Sequence, residues 1–146
     1  MIKKIFITLA IVLVIAQFFG TEKNDAETRE LTVFVLETTP NSEVSNILAS
    51  KCYDCHSNKT EYPWYANVAP LSYWINHHVE EGKEHLNFSD WSTYNTKRKK
   101  HKLEELIEEV EEGKMPLDSY ENLHGEISAT EKEILIDWAK IAIANY

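Results

Sequence analysis

Cys52 to Tyr65 reads CYDCHSNKTEYPWY, and the architecture of the chain turns on what its two sulfurs are for. Both cysteines of the chain lie here, separated by two residues. A histidine follows the second directly, and four aromatic residues (Tyr53, Tyr62, Trp64, Tyr65) surround them. Residues three apart lie on one side of a helical turn, so both thiols can face one flat partner. The imidazole of His56 can then turn to a metal at the centre of that partner.

Four chemistries compete for the motif. C-x-x-C-H reads as c-type haem attachment, with Cys52 and Cys55 as thioether links to the porphyrin and His56 as the proximal iron ligand. Structural zinc needs four ligands, commonly from two cysteine or histidine pairs. His77, His78, His85 or His124 can complete such a set, although no second C-x-x-C is present. A thioredoxin-like redox couple belongs after the strand of a βαβ unit, and that context is missing. A plain disulfide across so short a gap closes a strained loop, commoner in redox catalysts than in structural bridges. One covalently attached haem c is the preferred reading.

A second axial ligand is then needed. Beyond the initiator, the chain contains one methionine, Met115, in GKMPL. A thioether is a soft ligand suited to haem iron, and His/Met ligation raises the reduction potential; Pro116 would stiffen its loop. The same Met also suits a core gap. His78 is the alternative distal ligand, on the apolar face of a middle helix, while His77 faces solvent or a haem propionate. His85 and His124 read as surface residues in loops, and His101 belongs to a basic run. Trp64, Tyr65, Trp74 and Phe88 are candidates for haem packing, though ordinary core duty fits each equally well.

Bulk composition narrows the function. The 146 residues suit one domain, 43% hydrophobic and 27% charged, and only four glycines and four prolines argue against a disordered or fibrous chain. A net charge of −9 argues against nucleic-acid binding and for a redox partner with a basic docking patch. The one basic cluster, KRKKHK (97–102), runs into EELIEEVEE and reads as a solvated helix start.

MIKKIFITLAIVLVIAQFFG (1–20) reads as a signal peptide, or as a membrane anchor if it is not cleaved. Either way residues 21–146 are expected outside the cytoplasm. The apolar run falls short of the ~20 residues usual for a spanning helix, and no cysteine follows it to take a lipid. Residues 21–39 read as a linker or extended arm, with LTVFVLE (31–37) as a short strand. Residues 40–146 read as the haem-binding domain.

Within that domain the spacing predicts four helices. NSEVSNILASKC is capped by Asn41 or Ser42 and buries Val44, Ile47 and Leu48. LSYWINHHVEEG ends at Gly82. A third helix from Lys99 to Glu112 carries the stripe Leu103, Leu106, Ile107 and Val110 and stops at Gly113. The last begins at Ser128 or Thr130 and buries Ile134, Leu135, Trp138, Ile141 and Ala142. KEHLNFSDW, with a cap at Ser89, and KMPLDSYENLHGEIS read as loops. The fold class is therefore all-α, four helices with long irregular loops, and an apolar leader helix before them.

Taken in order, CYDCHSNKTEYPWY, LSYW with the following HHVEEGKEHLNFSDW, and GKMPLDSYENLH resemble the haem-binding domain family of exported bacterial proteins, over about residues 40–142. The order C-x-x-C-H, loop, Met-Pro, final helix is also similar to class I c-type cytochromes, which implies a small c-type cytochrome-like helical domain with long loops wrapped around a covalent haem. The resemblance implies that the helix carrying Val44, Ile47 and Leu48 crosses the last helix near Ile134 and Trp138. It also implies attachment at Cys52 and Cys55, His56 as proximal ligand and Met115 as distal ligand. The segment between the ligands is richer in Trp and His than in the simplest small cytochromes, which leaves the axial assignment open. The expected function is a periplasmic mono-haem electron carrier, soluble or anchored to the inner membrane. Alternatives are a haem peroxidase or gas or peroxide sensor, with His78 or Tyr73 assisting at an open distal site, and a zinc-dependent interaction module.

Overall fold

Eight α-helices make up the computed structural model, which describes residues 1–146. They are α1 (Ile2–Ala16), α2 (Thr32–Thr38), α3 (Ser42–Lys51), α4 (Tyr53–His56), α5 (Leu71–His85), α6 (Thr96–Glu111), α7 (Asp118–His124) and α8 (Ala129–Ala144). Two 3-10 segments, Trp64–Asn67 and Phe88–Thr93, complete the regular structure. Caps set the starts of the longer helices. The Asn41 side chain accepts from the Val44 amide at 2.9 Å, and Asn95 accepts from the Arg98 amide at 2.9 Å. Ser128 and Glu131 form a reciprocal capping box. At the end of α6 the chain reverses through Gly113, whose φ of 70° is open to a residue without a Cβ.

The core is where α3, α6 and α8 meet. Val44, Ile47 and Leu48 of α3 bury against Leu135 and Trp138 of α8, the crossing that the resemblance implies, and Leu103, Leu106 and Val110 of α6 close the third side. Phe34 of α2 sits at the centre with no exposed surface. Its ring lies 4.7 Å from Phe88, 5.1 Å from Trp91 and 5.9 Å from Trp138, the last two edge-on. Such a ring contributes about 2–3 kcal/mol by burial alone.

That placement corrects two expectations. LTVFVLE is helix α2, not a strand: Phe34 and Thr38, one turn apart, are both buried, and the Trp138 indole donates to the Thr38 carbonyl at 2.9 Å. Burial on one side of a helical turn outweighs the strand preference of Thr, Val and Phe. Residues 21–39 are accordingly no linker. Asp25 pairs with Lys59 in an isolated antiparallel bridge, and the Asn24 side chain donates through Nδ2 to the Ser57 carbonyl at 2.8 Å.

Further differences are local. The domain has more helices than the four expected, because the motif turn forms α4 and KMPLDSYENLHGEIS contains α7. Helix α5 runs through Gly82 to His85, and Asn87 rather than Ser89 caps the next turn. On α8, Ile141 is 66% exposed and Ala139 takes its place inside, since Leu135, Trp138, Ala139 and Ala142 share one face. The basic run is only partly solvated: Lys99 is buried, 2.7 Å from a Glu37 carboxylate oxygen. No residue of α1 is buried, and no helix is long and apolar enough to cross a membrane.

Candidate functional site

The motif folds as a separate turn. Helix α3 stops at Lys51 because Cys52, at φ −125° and ψ −46°, leaves helical geometry. The chain restarts at once as α4, with the Cys55 and His56 amides both donating to the Cys52 carbonyl, at 3.2 and 3.0 Å. Helix α5 lies directly on this turn. A Cβ at Gly82 would stand 2.8 Å from the Cys55 carbonyl oxygen and 3.1 Å from the Cys55 Cβ, so only glycine permits the contact.

Helix α5 then delivers the residue that orients His56. His56 Nδ1 lies 2.9 Å from the Leu86 carbonyl oxygen. A carbonyl only accepts, so Nδ1 carries the proton and the Nε2 lone pair is left free. Burial lowers the imidazole's pKa, against the opposing hydrogen bonds to the Leu86 and Gly82 carbonyls, and the ring is neutral. Burial also pushes the Cys52 thiol up to about 12 and the Cys55 thiol up to about 11. Both are therefore thiols rather than thiolates at neutral pH, unlike the activated cysteine of a redox couple. They are not bridged to each other.

These groups open into one cleft of about 490 Å³, inside the ~300–1,000 Å³ range of cofactor pockets. Cys52, Cys55, His56 and Met115 all line it. Its apolar walls include Leu86, Phe88, Leu106, Val110 and Leu135. Met115 arrives because Gly113 reverses the chain and the Lys114 and Met115 amides both donate to the Glu109 carbonyl, at 2.9 and 3.0 Å. The Met115 side chain is half-buried and packs on the core. Charged residues line the same cleft, among them Lys51, Lys102, Glu81 and Glu105.

The other expected site residues divide. Phe88 is a cleft wall, edge-on to Tyr53 at 5.4 Å. Trp64, Tyr65 and Trp74 do not reach the cleft; Trp64 is 79% exposed and Trp74 44%. They follow Pro63 on a surface turn and at the start of α5, away from the cleft lining. His78 does line the cleft, with its ring 4.3 Å from Trp74. His77 is exposed, its Nε2 3.4 Å from Glu81. His85, expected in a loop, ends α5 and borders the cleft; His124 stacks on Tyr120 at 4.0 Å. No three His, Cys, Asp or Glu side chains converge as a metal set, so none of the histidines completes a zinc site with the cysteines.

Several structural residues escaped the sequence reading. Asp54, between the cysteines, accepts from the Tyr120 hydroxyl at 2.9 Å, the Glu61 amide at 3.1 Å and Arg29 at 3.3 Å. It thereby ties the motif turn to α7 and to the segment before α2. Burial and this carboxylate push the Tyr120 hydroxyl upward, which keeps it a donor. Ser57, fully buried, donates to the Tyr53 carbonyl at 2.6 Å. An acidic residue inside the motif was a visible signal; nothing in the sequence pointed to Tyr120 or Arg29 as its partners.

A family model described as a haem-binding domain matches residues 11–141 of this chain. No curated protein and no solved structure gives a significant match.

Proposed function

The chain belongs to the haem-binding domain family, and from that premise we propose that it is an exported mono-haem electron carrier with a covalent c-type group. The haem, when bound, supplies a one-electron couple at its iron. The residues of the chain supply the rest. Cys52 and Cys55 stand on one turn at the cleft wall, where both sulfurs can take thioether bonds. His56 would hold the iron through Nε2, with its tautomer held by Leu86. Met115 would hold it through its sulfur, and the apolar walls would limit water at the site. The single observation that carries this reading is the convergence of Cys52, Cys55, His56 and Met115 on one apolar cleft.

His78 on the same cleft supplies the second reading, a peroxidase or gas sensor in which Met115 does not occupy the iron. The zinc module has less support, because no group of three His, Cys, Asp or Glu side chains has the spacing to hold a metal ion. The acid-rich surface favours a redox partner with a basic patch and association that slows as salt rises; it offers no footing for nucleic acid. The basic, apolar leader supports a periplasmic carrier, free or held at the inner membrane.

A pyridine haemochrome spectrum on protein matured in a host with a haem-attachment system tests the cofactor, and acid–acetone extraction tests the covalent links. The reduced wild type should ignore carbon monoxide. Rapid binding of the gas by the wild type would move the reading to the sensor or peroxidase, and colourless protein would end the haem reading.

A further inference from the structure

Apolar surface outside the leader is concentrated in one place. Trp64, Val68, Leu71, Tyr73 and Trp74 are all exposed, and they fall within eleven residues of chain, whereas Val35, Leu36, Leu123 and Ile141 are scattered. The surrounding sequence, from Tyr62 to Val79, is the longest stretch of the chain without Lys, Arg, Asp or Glu, longer than that of the leader itself. On a protein of net charge −9, this stretch carries no acidic side chain of its own to repel apolar or anionic matter.

The end of the leader is fastened to this face. The Gln17 side chain donates to the Ala69 carbonyl at 3.1 Å and accepts from the Ala69 amide at 3.0 Å, closing a two-point clasp. The Tyr73 hydroxyl donates to the Ala16 carbonyl at 3.1 Å and to that of Phe19. Phe18 and Phe19, 82% and 65% exposed, extend the patch at the point where α1 emerges.

Length makes the contact more than adjacency. A helix of 15 residues spans about 22 Å, less than the ~30 Å hydrocarbon core. An anchor that short is accommodated by thinning of the bilayer and by residues at its ends entering the interface. Trp and Tyr are the side chains that favour that layer, with one end apolar and the other wet.

We propose that the face carrying Trp64, Val68, Leu71, Tyr73 and Trp74 rests in the headgroup layer of the bilayer that α1 enters. The proposal rests on the anchored form of the carrier reading and is independent of the haem. It holds the domain in one orientation, with the tryptophans that do not serve the cleft serving the membrane.

The full chain, with its leader and pigment, is reconstituted in phosphatidylcholine–phosphatidylglycerol vesicles containing a phospholipid with a photoactivatable diazirine near the glycerol. Irradiation and peptide mapping locate the lipid adducts. Adducts are expected on residues 62–75 as well as on the leader, several-fold above those on 97–112, the segment of α6 and its C-cap. The double variant Trp64→Ser, Trp74→Ser should lose the 62–75 adducts while its absorption spectrum stays that of the wild type. Adducts confined to the leader would overturn the proposal, as would equal labelling of 97–112. Recovery of the whole chain in the aqueous phase after leader cleavage would overturn it too, and so would protection of 62–75 by a second copy or another protein. A colourless protein with 62–75 labelled would leave the membrane contact standing and remove the haem reading alone.

Discussion

The two candidate axial ligands are held in very different ways. His56 sits on a turn pinned from every side: Gly82 against the Cys55 backbone, Leu86 on the imidazole, and Asp54 gripped by Tyr120, Arg29 and the Glu61 amide. Met115 sits on a reversal held by two amides on the Glu109 carbonyl and by the left-handed Gly113. The histidine wall is therefore part of the fold, while the methionine loop is laid over it. Changes to the first should cost structure, and changes to the second should alter ligation while the fold survives.

Removing the attachment chemistry gives the largest expected effect. Cys52→Ala with Cys55→Ala should turn a pigment that resists acid–acetone into one that is extracted almost completely. A double variant that keeps its pigment through extraction would break the assignment of the histidine wall. Next comes Gly82→Ala. Helix propensity alone would favour the alanine by up to ~1 kcal/mol, but its Cβ meets the Cys55 backbone and overpacking costs about 1–3 kcal/mol. Thermal melts should show a net fall of several degrees, and an unchanged melting temperature would mean that the two walls are equally soft.

On the other side of the cleft, Met115→Ala should lower stability by less than about 2 kcal/mol, because the side chain is only half-buried. It should nonetheless let the reduced protein bind carbon monoxide, read as a shift of the Soret band. Gly113→Ala places a Cβ at φ 70°, a strain of about 1 kcal/mol. Partial carbon monoxide binding without loss of the haem links should follow if that reversal aims Met115.

Glu37 touches neither wall and serves as the control. Burial raises its carboxyl, but hydrogen bonds from Lys99 and Tyr146 and the Lys99 charge outweigh this, and its pKa lies below the ordinary 4.5. Its stabilisation is thus present above that ordinary value and is lost as pH falls through the depressed one. Glu37→Gln should flatten the acid side of a stability–pH profile and leave the visible spectrum unchanged.

How much of this was legible in the sequence follows the range of the forces involved. Signals confined to one turn were readable: the Asn41 cap, the Ser128–Glu131 box, the Leu103–Leu106–Val110 stripe, the Gly113 stop and the C-x-x-C-H motif. Met115, picked out as the one methionine of the domain, stands on the cleft with them. Long-range packing was not readable. Helix α2 forms because Phe34 is wanted among Phe88, Trp91 and Trp138, which its β-branched neighbours conceal. Gly82 looked like a helix stop and is a point of close approach. Trp64 and Trp74, read as either haem packing or core, are exposed, because aromatic composition cannot say which side of a surface a ring lies on. Helix α7 has no side-chain cap and buries none of its residues, so neither periodicity nor capping announced it.

The Leu86 carbonyl on His56 has one more consequence. A carboxylate in that place would make the imidazole more basic and increase the electron density it passes on through Nε2. A neutral peptide dipole does so only weakly. If His56 holds an iron as proposed, that iron would be poorly equipped to push electrons into a peroxide bond, in keeping with the proposed shuttling of charge. Grafting an acid where that carbonyl stands would be the route from one trade to the other.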